Sequence, residues 1–248
     1  MRILTYLKDI IAKRGGAFCV LIDPDKANSG ELESFVKKSK ELDVDALLVG
    51  SSLALDDNFD GTVKKIKSLS GIPVILFPGG AAQISRHADA ILFLSLISGR
   101  NPEYLFGDHV KAAPSIRSSG IEPISTGYML IESGAVSTAE FISNTRSIPR
   151  EKPEIALAHA LAAEYMGMQT VYLEAGSGAP NTVPNEMISL LRREISIPII
   201  VGGGITDPET AREKIDAGAD IIIVGNHLEN NWTDSEVRGF ADAVHTTR

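Results

Sequence analysis

The chain has one cysteine, no long apolar run and fewer basic than acidic side chains, and each shortage removes a class of answers. A single thiol, Cys19, cannot build an internal disulfide framework, so stability must come from an apolar core. Cys19 lies in the run Phe18-Cys19-Val20-Leu21-Ile22 and reads as a small core side chain, not a nucleophile. No stretch approaches the roughly 18 apolar residues that span a bilayer. The first nine residues mix acidic and basic side chains among apolar ones and lack a signal-peptide core, so a cytoplasmic enzyme is expected. Lys and Arg number 24 against 32 Asp and Glu, giving a net charge of −8. That balance argues against a nucleic-acid partner, which needs a basic surface to displace counterions. An anionic substrate remains compatible if backbone amides and a metal ion supply local positive potential. His87, His109, His159, His227 and His245 show no metal-ligand spacing, and surface or helix positions account for them.

What the chain does have is alternation. Short aliphatic runs read as parallel strands buried on both faces: Phe18 to Ile22, Ala46 to Val49, Val74 to Phe77, Ala90 to Leu94, Glu122 to Ser125, Thr170 to Glu174, Ile197 to Val201 and Asp220 to Val224. Segments of helical period lie between them, among them Glu31 to Leu42, Pro153 to Met166, Asn185 to Glu194 and Pro208 to Ala217. Asp207-Pro208-Glu209 supplies an N-cap with a first-turn proline, and Gly218 a stop. Eight such repeats within 248 residues predict one α/β domain over residues 1–248, a (β/α)8 TIM barrel of the phosphate-binding type. A doubly wound sheet is the alternative. The segment from Thr126 to Arg150 exceeds a usual βα loop and is expected to form a lid or wall.

Three glycine-rich segments follow the last three expected strands: Glu174-Ala175-Gly176-Ser177-Gly178, Gly202-Gly203-Gly204 and Gly225-Asn226. Loops at these positions cradle phosphate in many β/α barrels, because a missing Cβ lets backbone N–H groups reach the anion. A short helix after Gly225-Asn226 would aim its amides at the same anion. At the first strand's end, Asp23-Pro24-Asp25-Lys26 puts carboxylates at the barrel mouth, where Mg²⁺ is a natural partner. Capping of the next turn or pairing with Lys26 is the structural alternative for Asp23 and Asp25. The second strand brings the hydroxyls of Ser51 and Ser52 alongside.

With these segments in hand, the chain resembles the geranylgeranylglyceryl phosphate synthase family, in its second group and akin to heptaprenylglyceryl phosphate synthases. The resemblance rests on Leu21-Ile22-Asp23-Pro24-Asp25-Lys26, Gly50-Ser51-Ser52, Ser125-Thr126-Gly127-Tyr128-Met129-Leu130-Ile131 and Tyr172-Leu173-Glu174-Ala175-Gly176-Ser177-Gly178, completed by Val201-Gly202-Gly203-Gly204-Ile205 and Val224-Gly225-Asn226. It implies a prenyltransferase joining sn-glycerol 1-phosphate to a polyprenyl diphosphate, geranylgeranyl diphosphate in the family's common case, with release of pyrophosphate. The product is a precursor of ether lipids. The family pattern implies Mg²⁺ at Asp23 and Ser52, although Ser51 stands where a second glycine is expected, which leaves Ser51 and Ser52 both open as the metal-side hydroxyl. It implies glycerol phosphate held by Tyr172, Leu173, Glu174, Ala175, Gly176, Ser177, Gly178, Gly203, Gly204, Gly225 and Asn226, with Glu174 as base and Asp23 as the second catalytic residue. Tyr128 is a candidate substrate contact or a packing tyrosine. Homo-oligomers, dimeric or hexameric, and transient membrane contact through the lipid substrates are also implied.

The residues leave other readings. Phe93 to Ser98 with Asn101 to Phe106 is a candidate wall for a prenyl groove, and core packing explains Phe93 and Leu94 equally well. Arg100 and Lys111 are candidates to meet a diphosphate. A phosphosugar isomerase or aldolase is the alternative chemistry for such a barrel. An aldolase wants a Schiff-base lysine at a central strand end, which these strands do not offer. A non-catalytic phosphate sensor would have no use for the Asp23/Glu174 pair.

Overall fold

A computed structural model describes residues 2–26, 30–53 and 58–247. Eight strands, β1 (Ala17–Ile22), β2 (Ala46–Val49), β3 (Val74–Leu76), β4 (Ala90–Leu96), β5 (Glu122–Leu130), β6 (Thr170–Glu174), β7 (Ile199–Gly202) and β8 (Ile221–Val224), pair in parallel and in chain order until β8 meets β1. The closed barrel is the expected one, and the doubly wound alternative falls. Around it run α1 (Ile3–Arg14), α2 (Gly30–Lys38), α3 (Phe59–Leu69), α4 (Asp108–Ser119), α5 (Thr138–Ser143), α6 (Pro153–Tyr165), α7 (Asn185–Glu194), α8 (Pro208–Asp216), α9 (Asn226–Asn231) and α10 (Asp234–Val244).

Strand alternation sorts the apolar side chains into two cores. Cys19, Leu48, Ile75, Leu92, Tyr128, Tyr172, Ile200 and Ile223 fill the barrel interior. Phe18, Val20, Leu47, Leu173, Val201 and Ile222 face outward into the layer beneath the helices. α1 stoppers the barrel's lower end: Ile3, Leu4 and Leu7 join the interior cluster, and the Ile3 amide donates to the Glu122 carboxylate.

A repeated device locks that lower end. The side chain just before each even-numbered strand accepts the N–H of an early residue in the odd strand before it. Asp45 takes Phe18 N at 2.8 Å, Asp89 takes Val74 N at 2.7 Å, Gln169 takes Ser125 N at 3.0 Å and Asp220 takes Ile199 N at 2.8 Å. Lys67 pairs with Asp89, Arg192 with Asp220, and both Arg14 and the buried His245 with Asp45. A buried carboxylate satisfied in this way stabilises the floor without leaving an unpaired charge.

The boundaries differ from the expected ones for local reasons. β7 starts at Ile199 and not Ile197, since Pro198 has no N–H to give the ladder. α2 stops at Lys38, after which Ser39 Oγ bonds back to Val36 O at 2.8 Å and Asp43 turns left-handed. The largest correction concerns Thr126–Leu130, expected as loop and found as the second half of β5. Thr126 Oγ1 meets Thr170 Oγ1 at 2.8 Å, and Gly127 faces the helical layer, where a Cβ would stand 2.9 Å from Ile97 and 3.0 Å from Ala163. The wall beyond β5 is therefore shorter: Ile131 bridges to Ile148, and α5, capped by Ser137 Oγ on Glu140 N at 3.1 Å, sits between.

Candidate active site

The upper, C-terminal rim opens onto a cavity of about 660 Å³. Its walls bring together most residues expected there: Asp23 from the end of β1, Ser51 and Ser52 after β2, Tyr128 from β5, and Tyr172 with Glu174 from β6. Gly176, Ser177, Gly178, Gly203, Gly204, Gly225 and Asn226 close the opposite side. Leu173 and Ala175 do not belong with them. Alternation turns both side chains into the outer core, where they are buried against the helices. Tyr128 is a strand residue, not a loop residue, and is 8% exposed.

Glu174 is the chemical centre of the cavity. Its register partner on β7 is Gly202, and the next residue, Gly203, has φ +87°. A Cβ on Gly203 would lie 2.5 Å from Glu174 Oε1 and 2.5 Å from Gly176 N, so only glycine leaves room for the carboxylate. Glu174 Oε1 accepts Gly176 N–H at 2.7 Å, and the Tyr172 hydroxyl donates to the same carboxylate. Burial raises the Glu174 pKa above 4.5, and these two hydrogen bonds only partly oppose it. Burial, followed by the Glu174 charge, holds the Tyr128 and Tyr172 hydroxyls well above the ordinary tyrosine range, so both stay protonated donors. The two rings stand edge to face at 5.2 Å, with Phe77 against both at 5.9 and 5.5 Å. This aromatic floor shields the carboxylate from the barrel interior.

Asp23 plays two parts. Its Oδ1 accepts the Asp25 amide at 3.1 Å, the capping contact expected as the structural alternative, while the residue also lines the cavity. Asp25 is exposed and does not. Ser51 Oγ bonds to Leu53 O at 3.3 Å, and the Gln83 amide clamps the Ser51 backbone at 2.8 and 3.2 Å.

A second, narrower cavity of about 110 Å³ is apolar, walled by Phe93, Leu94, Leu96, Tyr104, Ala112 and Ile116 among others. Phe93 and Leu94 thus face a cavity as well as packing in the core. A π-helical turn, Glu103–Gly107, leads into α4 along its side, held by Ser95 Oγ on Leu105 O at 2.7 Å. His109 stands in this wall with its ring edge on Phe93 at 4.4 Å, and burial lowers its pKa, keeping it neutral. Five residues, Ser51, Ser52, Phe77, Tyr128 and Ala139, line both cavities. Arg100 and Lys111 reach neither. Arg100 bonds to Gly99 O, and Lys111 pairs with Glu103 and Asp108. Reading the sequence also missed Ser137, Thr138, Thr206 and His227, all in the polar wall, since none carries a motif.

The geometry is that of a barrel enzyme with a polar, glycine-lined pocket beside an apolar one. Residues 8–244 match the model of the PcrB family. Geranylgeranylglyceryl phosphate synthase of Chitinophaga pinensis is 49% identical over 234 residues, which is 94% of this chain and 92% of that one. The chain belongs to the PcrB, or geranylgeranylglyceryl phosphate synthase, family. Two solved members of this synthase family share the fold closely. The Thermoplasma volcanium enzyme superposes with a TM-score of 0.90 at 36% identity, covering 100% of this chain and 99% of its own. The Thermoplasma acidophilum enzyme, solved with sn-glycerol 1-phosphate, gives 0.87 at 32%, covering 96% and 98%. Among the described residues of this family member, no helix is long and apolar enough to cross a membrane.

Proposed function

We propose that this protein is a prenyltransferase that joins sn-glycerol 1-phosphate to a polyprenyl diphosphate, most simply the geranylgeranyl donor, giving 3-O-geranylgeranyl-sn-glyceryl 1-phosphate. The observation that carries the reading is the pair of cavities with one common wall, one fit for a small phosphoester and one for a hydrocarbon tail. The names of its relatives support the same reaction.

The phosphate of the acceptor fits the turns at Gly176–Gly178, Gly203–Gly204 and Gly225–Asn226, leaving its free primary hydroxyl toward Glu174. That oxygen attacks C1 of the prenyl donor at the common wall. The new C–O ether bond forms as the bond from C1 to the diphosphate oxygen breaks, and pyrophosphate leaves with the electron pair. Glu174 takes the hydroxyl proton, a task suited to a carboxylate whose pKa is raised. Tyr128 and Tyr172 orient the reacting groups and keep water out from below.

Mg²⁺ is the cation we assign. Asp23 in the polar cavity, with Ser51 or Ser52 at the common wall, offers oxygen ligands, and Mg²⁺ commonly binds one carboxylate with substrate phosphates completing its shell. Among the described residues no group of three His, Cys, Asp or Glu side chains gathers, which fits that substrate-completed mode better than a protein cage. When bound, the ion neutralises charge developing on the leaving diphosphate. We further assign a homo-oligomer. α6 is apolar nearly all round, and Tyr165 and Met166 at its end are 80% and 76% exposed. Membrane contact is transient, through the lipid donor and product. The deciding experiment supplies sn-glycerol 1-phosphate, Mg²⁺ and prenyl diphosphates of C15, C20 and longer, and follows pyrophosphate release with mass analysis of the ether. No product with any donor overturns the proposal. Trapping with borohydride and a phosphosugar favours an aldolase instead.

A further inference from the structure

The polar cavity would receive a phosphate and a diphosphate, yet its own ionisable side chains include the carboxylates Asp23 and Glu174. Among the described residues that line it, His227 is the one side chain able to carry a full positive charge. It directly follows Gly225-Asn226, on the first turn of α9, and its ring lies between the cavity wall and α10. There Nε2 meets Glu236 Oε1 at 2.5 Å, and the ring edge lies against Phe240 at 6.1 Å between centroids. Glu236 is fixed in turn, because its backbone N–H donates to Thr233 Oγ1, the N-cap of α10, at 3.2 Å. α9 itself has no side-chain N-cap, and Gly225 enters it with φ −121° and ψ −104°, outside the helical region. Leu228, 2% exposed in the outer core, and the His227–Glu236 contact are among the contacts that hold this turn.

We propose that His227 and Glu236 form a strap that positions the Gly225-Asn226 turn for the phosphate of the acceptor substrate. His227 is a positioning residue, not a catalytic one. It holds the turn against α10 through its contact with Glu236. Glu236 fixes the ring against α10. The inference rests on the acceptor phosphate binding as described above.

The test separates the two substrates. KM for sn-glycerol 1-phosphate, KM for the prenyl diphosphate and kcat are measured for the parent, His227→Ala, His227→Gln, Glu236→Ala and the double alanine variant. Binding of sn-glycerol 1-phosphate alone is followed by calorimetry. His227→Ala and Glu236→Ala are each expected to raise the acceptor KM on the order of tenfold, the lower end for a hydrogen bond to a charged group. The donor KM and kcat at saturation stay within about twofold, because the strap touches neither the groove nor Glu174. His227→Gln, which keeps a donor toward Glu236, recovers part of the loss, and the double variant is no worse than either single one. An acceptor KM and calorimetric affinity unchanged in both single variants overturn the strap. So does a uniform fall in every kinetic parameter together with the melting temperature, because that marks general destabilisation. If the parent makes no product and binds no sn-glycerol 1-phosphate, the functional reading fails first, a result distinguishable from either outcome.

Discussion

Replacing Gly203 with alanine is expected to disable the site while leaving the barrel folded. The residue sits at φ +87°, where an L side chain costs about 1–2 kcal/mol. The added Cβ would also stand 2.5 Å from Glu174 Oε1, 2.5 Å from Gly176 N and 2.8 Å from Ala175 N. Two of those atoms are backbone, and Ala175 N is tied to Gly202 O at 3.1 Å, so the turn itself must move. Overpacking of that kind costs about 1–3 kcal/mol. The combined loss of about 2–5 kcal/mol is large but within the roughly 5–15 kcal/mol that holds a typical domain. The displaced group is the carboxylate assigned as base, and a misplacement near 1 Å is enough to cost on the order of 100-fold in rate. Urea melts followed by circular dichroism give the stability, and ether formation at saturating substrates gives the rate. Gly30→Ala is the control: open space surrounds that position, and its stability should stay within about 0.5 kcal/mol of the parent. A Gly203→Ala protein as stable and as active as the parent would refute the close approach of the two strands and the placement of Glu174 with it.

Three further outcomes are expected. Glu174→Gln should lower kcat by roughly 10²–10⁴, and the acid limb of kcat/KM, lying above 4.5 in the parent because burial raises Glu174, should vanish with it. Since the folded state holds that proton more tightly than the unfolded one, the substrate-free protein should lose stability as pH climbs from 4.5 through the raised value. Urea melts across that window should show no such loss in Glu174→Gln. Asp23→Asn should remove the response of the rate to added Mg²⁺ and leave stability within about 0.5 kcal/mol, and a rate that still tracks Mg²⁺ would clear Asp23 of the role. His245→Ala, at the opposite end of the barrel, takes a partner from buried Asp45 and should cost about 1–3 kcal/mol of stability with unchanged kinetics. A changed KM there would mean that floor and mouth are mechanically linked.

The barrel was legible because most of the buried strands are nearly unbroken aliphatic runs, which few other architectures produce so regularly. The glycine-lined side of the cavity was legible because glycine is the residue that permits what Gly203 does beside Glu174. Ser125-Thr126-Gly127 misled for the same reason: hydroxyls and a glycine are turn chemistry in isolation. Here they serve close packing, with Thr126 bonded to Thr170 and Gly127 making space for α6. Leu173 and Ala175 were carried along by a contiguous motif, although strand alternation turns every second side chain away from the cavity. His227 read as a surface or helix histidine because its partner, Glu236, lies nine residues on and on another helix. Arg100 and Lys111 looked available until their own neighbours, Gly99 O, Glu103 and Asp108, were in view. The lower-end locks carry no motif at all, since one carboxylate before a strand becomes meaningful only when the barrel sets it beside its neighbour's first amides.

The stopper formed by α1 has a consequence for traffic through the enzyme. With Ile3, Leu4 and Leu7 packed into the base, the lower end is filled, and reactants and leaving group share the doorway at the upper rim. An amphiphile with its head among the glycine turns and its tail under α4 spans that doorway. Pyrophosphate must then clear out past it or wait behind it, so the sequence of departures, and not bond-making alone, becomes a natural place for the turnover rate to be set.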